Sequence, residues 1–251
     1  MENRTLSYFA SDVHLGLNFK DAADREERFV KFLKDIPAEK TEALYLLGDI
    51  WDFWYEYRDV VPKGYVKVFA ALISLIDSGV KVYFFPGNHD IWCYRYFESL
   101  GITVVRDRYM VTTIGEKTFC LAHGDGLGRG MRGYKMMRGI FHNRFFQVLF
   151  GIVHPRIAFA IGNGWSRHSR LAKNCHYSFR GKDEPIYAWA NDFSANVHID
   201  CFIFGHFHCS VDETLPSGAR LMILKDWMDD SPYFLFDRKS GMSGNFPKIE
   251  K

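Results

Sequence analysis

An α/β fold follows from three features of the sequence. Short apolar runs of strand length alternate with amphipathic helical stretches in the N-terminal part, hairpin-like runs come later, and polar segments rich in Asp and His sit directly behind the strands. The first strand is Leu6 to Ser11, followed by a helix over Asp24 to Asp35 with Phe29, Phe32 and Leu33 on one face. A second strand, Ala43 to Leu47, precedes a helix over Tyr65 to Ser78, where Val68, Phe69, Leu72, Ile73 and Ile76 recur at helical spacing before Gly79 stops it. Val80 to Pro86 makes the third strand, and Tyr109 to Ile114 with Lys117 to Ala122 reads as a hairpin. Two helices are expected near Tyr134 to Phe150 and Ile157 to Lys173, then strands over Cys201 to Gly205, Arg220 to Leu224 and Tyr233 to Phe236. The polar tail from Arg238 to Lys251 is expected to be mobile.

A chain of 251 residues can bury a full core as one large domain, or one domain with an insertion. Its 47% hydrophobic and 25% charged residues exclude a disordered protein. The five cysteines are odd in number and contain no Cys-x-x-Cys pair, which argues against a disulfide framework or a structural zinc site and for a reducing compartment. The N-terminus runs into a strand without the apolar stretch of a signal peptide, and no apolar run approaches the ~20 residues that cross a bilayer. A soluble or peripheral cytoplasmic protein is expected. Aromatics reach 17%, more than a core needs, so some rings are expected to meet a ligand or a membrane.

The net charge of +2 hides an asymmetry. Between Gly126 and Lys182 there is no Asp or Glu but 11 Lys and Arg, leaving 21 basic against 30 acidic residues elsewhere. The reading is a core over residues 1–125 and 183–251 with a basic, aromatic insertion over 126–182. Such a module suits an anionic substrate, an anionic lipid surface or nucleic acid.

Five segments each follow an apolar strand: Asp12-Val13-His14, Gly48-Asp49-Ile50-Trp51-Asp52, Gly87-Asn88-His89-Asp90, His123-Gly124-Asp125 and Gly205-His206-Phe207-His208. Groups just beyond strand ends converge on one sheet edge, so segments far apart in the chain can meet. Side chains alternate along a strand, and Asp-x-His and His-x-His therefore form chelating pairs. Mixed oxygen and imidazole donors suit Mn²⁺, iron or Zn²⁺ better than Mg²⁺ or Ca²⁺, and the donors suffice for two ions. His154, His168, His176 and His198 lack partners at ligand spacing and are expected to play no part in metal binding.

In this order the five blocks resemble the calcineurin-like metallophosphoesterases. That resemblance implies a four-layer αββα sandwich and two divalent metal ions, with Mn²⁺ the expected metal. One ion would take Asp12, His14, Asp49 and His208, and the other Asp49, Asn88, His123 and His206, with Asp49 bridging. His89, with Asp90 beside it, would be catalytic, stabilising the transition state or protonating the leaving oxygen.

A closer resemblance covers the chain except its tail. Gly48 to Trp54, His123 to Gly128, Gly133-Tyr134-Lys135 and Trp165 to Arg170 are similar to the UDP-2,3-diacylglucosamine diphosphatases of lipid A synthesis, in their Bacteroidetes-like branch. This implies hydrolysis of a lipid-linked nucleotide sugar to UMP and a diacylated sugar 1-phosphate, with the insertion as a lid. Asn88, Arg167, Ser169, Arg170 and Lys173 would contact the substrate. The proteobacterial members have Arg where this chain has His89, so the substrate contacts of that position do not transfer. On a helix over Tyr134 to Phe150, Tyr134, Met137, Phe141, Phe145 and Val148 form one stripe, while Phe146 and Phe150 fall outside it. Phe141, Phe145, Phe146 and Phe150 are therefore expected to line an acyl-chain groove, and the basic insertion to touch an anionic inner membrane from its cytoplasmic face. No protein partner is indicated. The alternative function is a nuclease or another phosphodiesterase of the same superfamily, although nucleic acid is the less favoured partner.

Overall fold

The structure is a computed structural model, which describes residues 4–18, 22–130, 132–172 and 178–245; the side chains of 163 and 165–172 lie outside that description. Chain order runs β1 (Leu6–Ala10), α1 (Ala22–Asp35), β2 (Thr41–Leu46), α2 (Val66–Asp77), β3 (Lys81–Phe84), α3 (Tyr96–Ser99), β4 (Thr103–Val104), β5 (Met110–Ile114) and β6 (Lys117–Leu121). Helices α4 (Arg132–His142), α5 (Arg144–Gly151) and α6 (Pro155–Ala172) follow, and then α7 (Pro185–Ser194). Strands β7 (Cys201–Phe204), β8 (Val211–Thr214), β9 (Arg220–Ile223), β10 (Tyr233–Asp237) and β11 (Gly241–Asn245) complete the fold.

Two sheets form, in the orders β11-β10-β1-β2-β3-β4 and β5-β6-β7-β9-β8. Within them β1, β2, β3 and β4 run parallel, as do β6, β7 and β9, because helical crossovers connect most of these strands. Period-two alternation then sorts the apolar side chains. Ala43, Tyr45 and Leu47 point between the sheets with Phe9, Phe119, Ile203 and Phe234, whereas Leu44 and Leu46 pack outward with Phe29 and Leu33 of α1 and Val68 and Leu72 of α2. On the second sheet Phe202 and Phe204 face outward to Ile186, Tyr187 and Ala190 of α7. The layers are therefore helix, sheet, sheet, helix.

Several sequence expectations change. The single helix over Tyr134 to Phe150 breaks at Asn143, whose side-chain oxygen accepts the Phe145 N–H at 2.9 Å and caps α5. Asn competes for backbone donors in this way, which makes it a cap rather than a helix-interior residue. The apolar stripe is split as a result, and Phe145 and Val148 turn outward, 68% and 63% exposed. Part of the tail is ordered, since Gly241–Asn245 pairs antiparallel with β10. Helix α7, with Pro at its first turn, and the short elements α3, β4 and β8 were not legible as separate periodic segments.

Candidate dinuclear metal centre

Parallel strands bring their C-terminal ends to one edge, and every expected ligand lies just past such an end. The loops after β1 and β2 continue pairing beyond the strands, through Asp12 N–H to Gly48 O (3.0 Å) and His14 N–H to Asp49 O (2.9 Å). Asp12, His14, Asp49, His206 and His208 all sit at positive φ, between 50° and 70°. Non-glycine residues rarely adopt that region, and strain of this kind clusters at functional sites. Close approach needs glycine at two points. A Cβ on Gly87 would lie 2.2 Å from Asp49 Oδ1, and one on Gly205 would lie 2.3 Å from Asp12 Oδ2.

The side chains converge as two groups. In the first, His14 Nε2 is 3.7 Å from Asp12 Oδ1 and 3.9 Å from Asp49 Oδ2, and His208 Nε2 is 3.4 Å from Asp12 Oδ1. In the second, His123 Nε2 is 3.4 Å from Asp49 Oδ2, 3.4 Å from Asn88 Oδ1 and 3.3 Å from His206 Nδ1. Asp49 belongs to both. Donor atoms of Asp12, His14 and His208, and of Asp49, His123 and His206, lie within 4.8 Å of one another, the spacing a single cation can span. Asp12 Oδ1 is buried and accepts no hydrogen bond among the described residues, while Oδ2 accepts from His206 N–H at 2.9 Å and from Ser11 Oγ. A buried carboxylate oxygen left open among imidazole nitrogens is the environment a divalent cation satisfies, and the donor set fits one.

The outer nitrogens of the ligands are held by the protein, which orients the inner ones. His123 Nδ1 meets the Leu47 carbonyl at 2.8 Å, and His208 Nδ1 meets Asp226 Oδ2 at 2.7 Å. Asp52 serves two rings: its Oδ1 is 3.2 Å from His14 Nδ1, and its carbonyl is 2.8 Å from His89 Nδ1. His89 stands edge-on to His14 with ring centroids 5.0 Å apart, and its N–H donates to Asp49 Oδ1 at 2.9 Å. Burial lowers the His89 pKa, against the charges of Asp49 and Asp52. Asp49 is held well below the ordinary carboxylate range, since the charges of His123 and His89 outweigh its burial. His206 is pushed down to about 4 by burial and by the charge on His123.

Asp90 sits between the loops after β2 and β3. It is fully buried, and its two oxygens accept the N–H groups of Gly87 (2.7 Å), Ile50 (2.8 Å), Asp49 (3.2 Å) and Trp51 (3.2 Å). Its oxygens accept four backbone donors, and it staples the loop after β3 to the loop that carries Asp49. Burial and the Asp49 charge raise its pKa to about 7. Asp226 was missed altogether, because only folding brings the loop after β9 to His208.

The calcineurin-like phosphoesterase family model matches residues 7–210. The chain belongs to this family. Curated relatives include a UDP-2,3-diacylglucosamine hydrolase of Porphyromonas gingivalis, 36% identical over 93% of this chain and 95% of that one. Another of the same name, from Neisseria meningitidis, is 33% identical over 98% of both chains. A dimetal phosphatase from Danio rerio aligns over 96% of this chain and 95% of that one, at 15% identity and a TM-score of 0.49.

In this phosphoesterase the helices α4 to α6 lie beside the candidate metal ligands and border a cavity of about 470 Å³. Its walls are Phe53, Trp92, Met137, Phe141, Phe146 and Phe150, and its floor reaches Asn88 and His89. Of the four rings expected to form an acyl-chain groove, Phe141, Phe146 and Phe150 line this cavity, and Phe145 lies outside its lining and is exposed. Core side chains hold the helices by their backbone: Tyr55 Oη donates to Gln147 O (2.7 Å), Tyr57 Oη to Val153 O (2.9 Å) and Trp92 Nε1 to Phe141 O (3.0 Å). Phe150 stacks on Trp92 with centroids 5.1 Å apart. Asp125 Oδ2 accepts from Arg138 Nε at 2.7 Å and Tyr134 Oη at 3.1 Å, joining α4 to the loop of His123. Arg167, Ser169 and Arg170 lie on α6 with side chains outside the described set, and Lys173 lies outside the described residues.

Proposed function

We propose that the protein hydrolyses the diphosphate of UDP-2,3-diacylglucosamine, giving UMP and 2,3-diacylglucosamine 1-phosphate. The observation that carries this reading is the apolar cavity of about 470 Å³ that opens on Asn88 and His89, because a phosphodiester without acyl chains has no use for it. Relatives named for this substrate and matching nearly the whole chain support it.

Asp12, His14, Asp49 and His208 would hold one divalent cation and Asp49, Asn88, His123 and His206 the other, with Mn²⁺ favoured by the mixed donor set. Two ions bound there supply Lewis acidity and a nucleophile from water at neutral pH. Asp52 and Asp226 keep the ligand rings in register, and Asp90 holds the Asp49 loop rigid. His89, whose Nδ1–H is anchored on the Asp52 carbonyl, would turn Nε2 to the reacting phosphate, and in its protonated form would stabilise the transition state or give the Nε2 proton to the leaving oxygen. The insertion over 126–182 acts as a lid that takes the acyl chains, with Phe141, Phe146 and Phe150 against them and Arg167, Ser169, Arg170 and Lys173 available for the sugar phosphate.

Ile140, Phe145, Val148, Leu149, Ile152 and Ile157 are exposed on the same basic insertion, and no helix among the described residues is long and apolar enough to cross a membrane. Peripheral contact with an anionic membrane, on its cytoplasmic face, fits this combination. The test is product analysis with Mn²⁺ and ¹⁸O water on UDP-diacylglucosamine, UDP-glucosamine lacking acyl chains, and single-stranded DNA. Label in UMP and preference for the acylated substrate are expected. Cleavage of DNA instead would establish the nuclease reading.

A further inference from the structure

The apolar cavity is one of two that meet at the second ligand group. The smaller, about 140 Å³, is lined on its inner side by His123 and Asp125 and on its outer side by Tyr94, Arg106 and Arg108. Asn88 faces the large cavity and His123 the small one, and these two side chains are 3.4 Å apart. Asp125 and Arg138 line both, so their 2.7 Å ion pair is part of the wall between them. Both cavities therefore reach the same candidate ligand group.

The two cavities differ in size and chemistry in a way that sorts the two arms of a nucleotide sugar lipid. Acyl chains need the large apolar one. A cavity of about 150 Å³ holds a benzene-sized ring, so the small one, at about 140 Å³, has the volume of a single pyrimidine ring. Its cations are not equivalent. Arg106 is paired with Glu98 at 2.6 Å and Arg138 with Asp125, whereas Arg108 donates to the neutral Gly126 carbonyl at 2.5 Å and makes no ion pair among the described residues. Arg108 is thus a positioned guanidinium that is not in direct contact with the Asp107 and Asp125 carboxylates of the same cavity and has donors to spare, facing a cavity the size of a base whose carbonyl oxygens accept hydrogen bonds.

We propose that this second cavity is the pyrimidine nucleoside subsite, with Arg108 as its polar anchor. The proposal rests on the UDP-diacylglucosamine reading and adds where the nucleoside end goes.

The experiment is calorimetric titration of the Mn²⁺-loaded full chain with UMP, AMP and inorganic phosphate, on wild type and on Arg108→Gln, with metal content and thermal unfolding measured for both. Wild type should bind UMP at least about tenfold more tightly than AMP, and Arg108→Gln should weaken UMP by about tenfold or more, the worth of a hydrogen bond to a charged group. Phosphate affinity, which depends on the metals, should stay within about twofold. AMP binding as tightly as UMP overturns the proposal and needs no variant to be seen; so does unchanged UMP affinity in a folded, metal-loaded Arg108→Gln. A parallel turnover assay of wild type on UDP-diacylglucosamine separates the two claims. Turnover without nucleotide discrimination removes the subsite alone, and absence of turnover removes the functional reading and the subsite with it.

Discussion

Asp226 and His89 show how single residues divide the work of the centre. Asp226 Oδ2 meets His208 Nδ1 at 2.7 Å, which turns Nε2 toward Asp12. Although burial raises its pKa, the hydrogen bond and charge of His208 hold it below the usual carboxylate range, so it stays ionised and supports the ring. Partners of this kind are worth about 10–100-fold in metal affinity. Asp226→Ala should therefore weaken one of the two ions by about that factor in a chelator competition, with the other little changed. Equal weakening of both ions, or of neither, would contradict the assignment. His89 is different in kind, because it lines the apolar cavity, lies outside the two proposed ligand sets and, in the proposed function, meets the reacting phosphate. His89→Gln should keep two ions by metal analysis and lose about 10²–10⁴ in kcat, the span of general acid–base catalysis. A variant that loses metal and activity together would make His89 a ligand instead.

At the scale of elements, short contacts between loops and helix ends decide how the layers meet. Asp200 precedes β7 and accepts Lys117 Nζ at 2.9 Å and Thr118 N–H at 2.8 Å, while its own carbonyl accepts Arg220 N–H at 2.9 Å, so one residue joins the starts of β6, β7 and β9. Partial burial pulls its pKa up, but the Lys117 and Thr118 hydrogen bonds outweigh that and lower it. A carboxylate depressed in the folded state contributes stability above its unfolded pKa of about 3.9 and loses it as pH falls through the folded value. Asp200→Asn should accordingly lower Tm at neutral pH, and the gap to wild type should close as pH drops below about 4. A gap of constant size across that range would mean the effect is not electrostatic. In the insertion, Phe150 stacks on Trp92 and serves the joint, whereas Phe146 lines the cavity and is 44% exposed. Phe146→Ser should lower kcat/KM for the diacylated substrate by about tenfold, through loss of apolar contact, and leave hydrolysis of a small chromogenic phosphodiester near wild type. If both rates fall with Tm, Phe146 is a structural residue.

The whole molecule is polarised. Acidic residues dominate outside the insertion, and the insertion has no Asp or Glu from Gly126 to Lys182. Exposed apolar side chains lie on that same stretch, among them Phe145, Leu149 and Ile152. Lys and Arg near an anionic surface contribute about 1 kcal/mol each, and this fades within a Debye length of about 10 Å at 0.1 M salt. The protein should co-sediment with vesicles containing anionic phospholipid, release as salt rises, and bind neutral vesicles weakly. Equal binding to both vesicle types would leave the charge asymmetry without a membrane role.

The sequence by itself determined the α/β class and pointed to the segments whose side chains converge as candidate metal ligands. Both are local properties: alternation marks a strand, and Asp-x-His or His-x-His directly behind one needs no knowledge of the rest of the chain. Asn143 was locally readable too, as a capping residue inside an apolar stretch, but the continuous stripe concealed it. What only the tertiary structure decided depends on residues that meet across the chain. Asp90 stands beside His89 in sequence, yet its carboxylate is occupied by backbone donors from Gly87 and from Asp49 to Trp51. His208 finds Asp226 across β8 and β9, and the Asp125–Arg138 pair separates two cavities whose walls come from five or more segments of the chain. Pairings of this sort carry no spacing signal, because hydrogen-bond geometry and packing select the partner only after the sheets have brought distant loops to one edge.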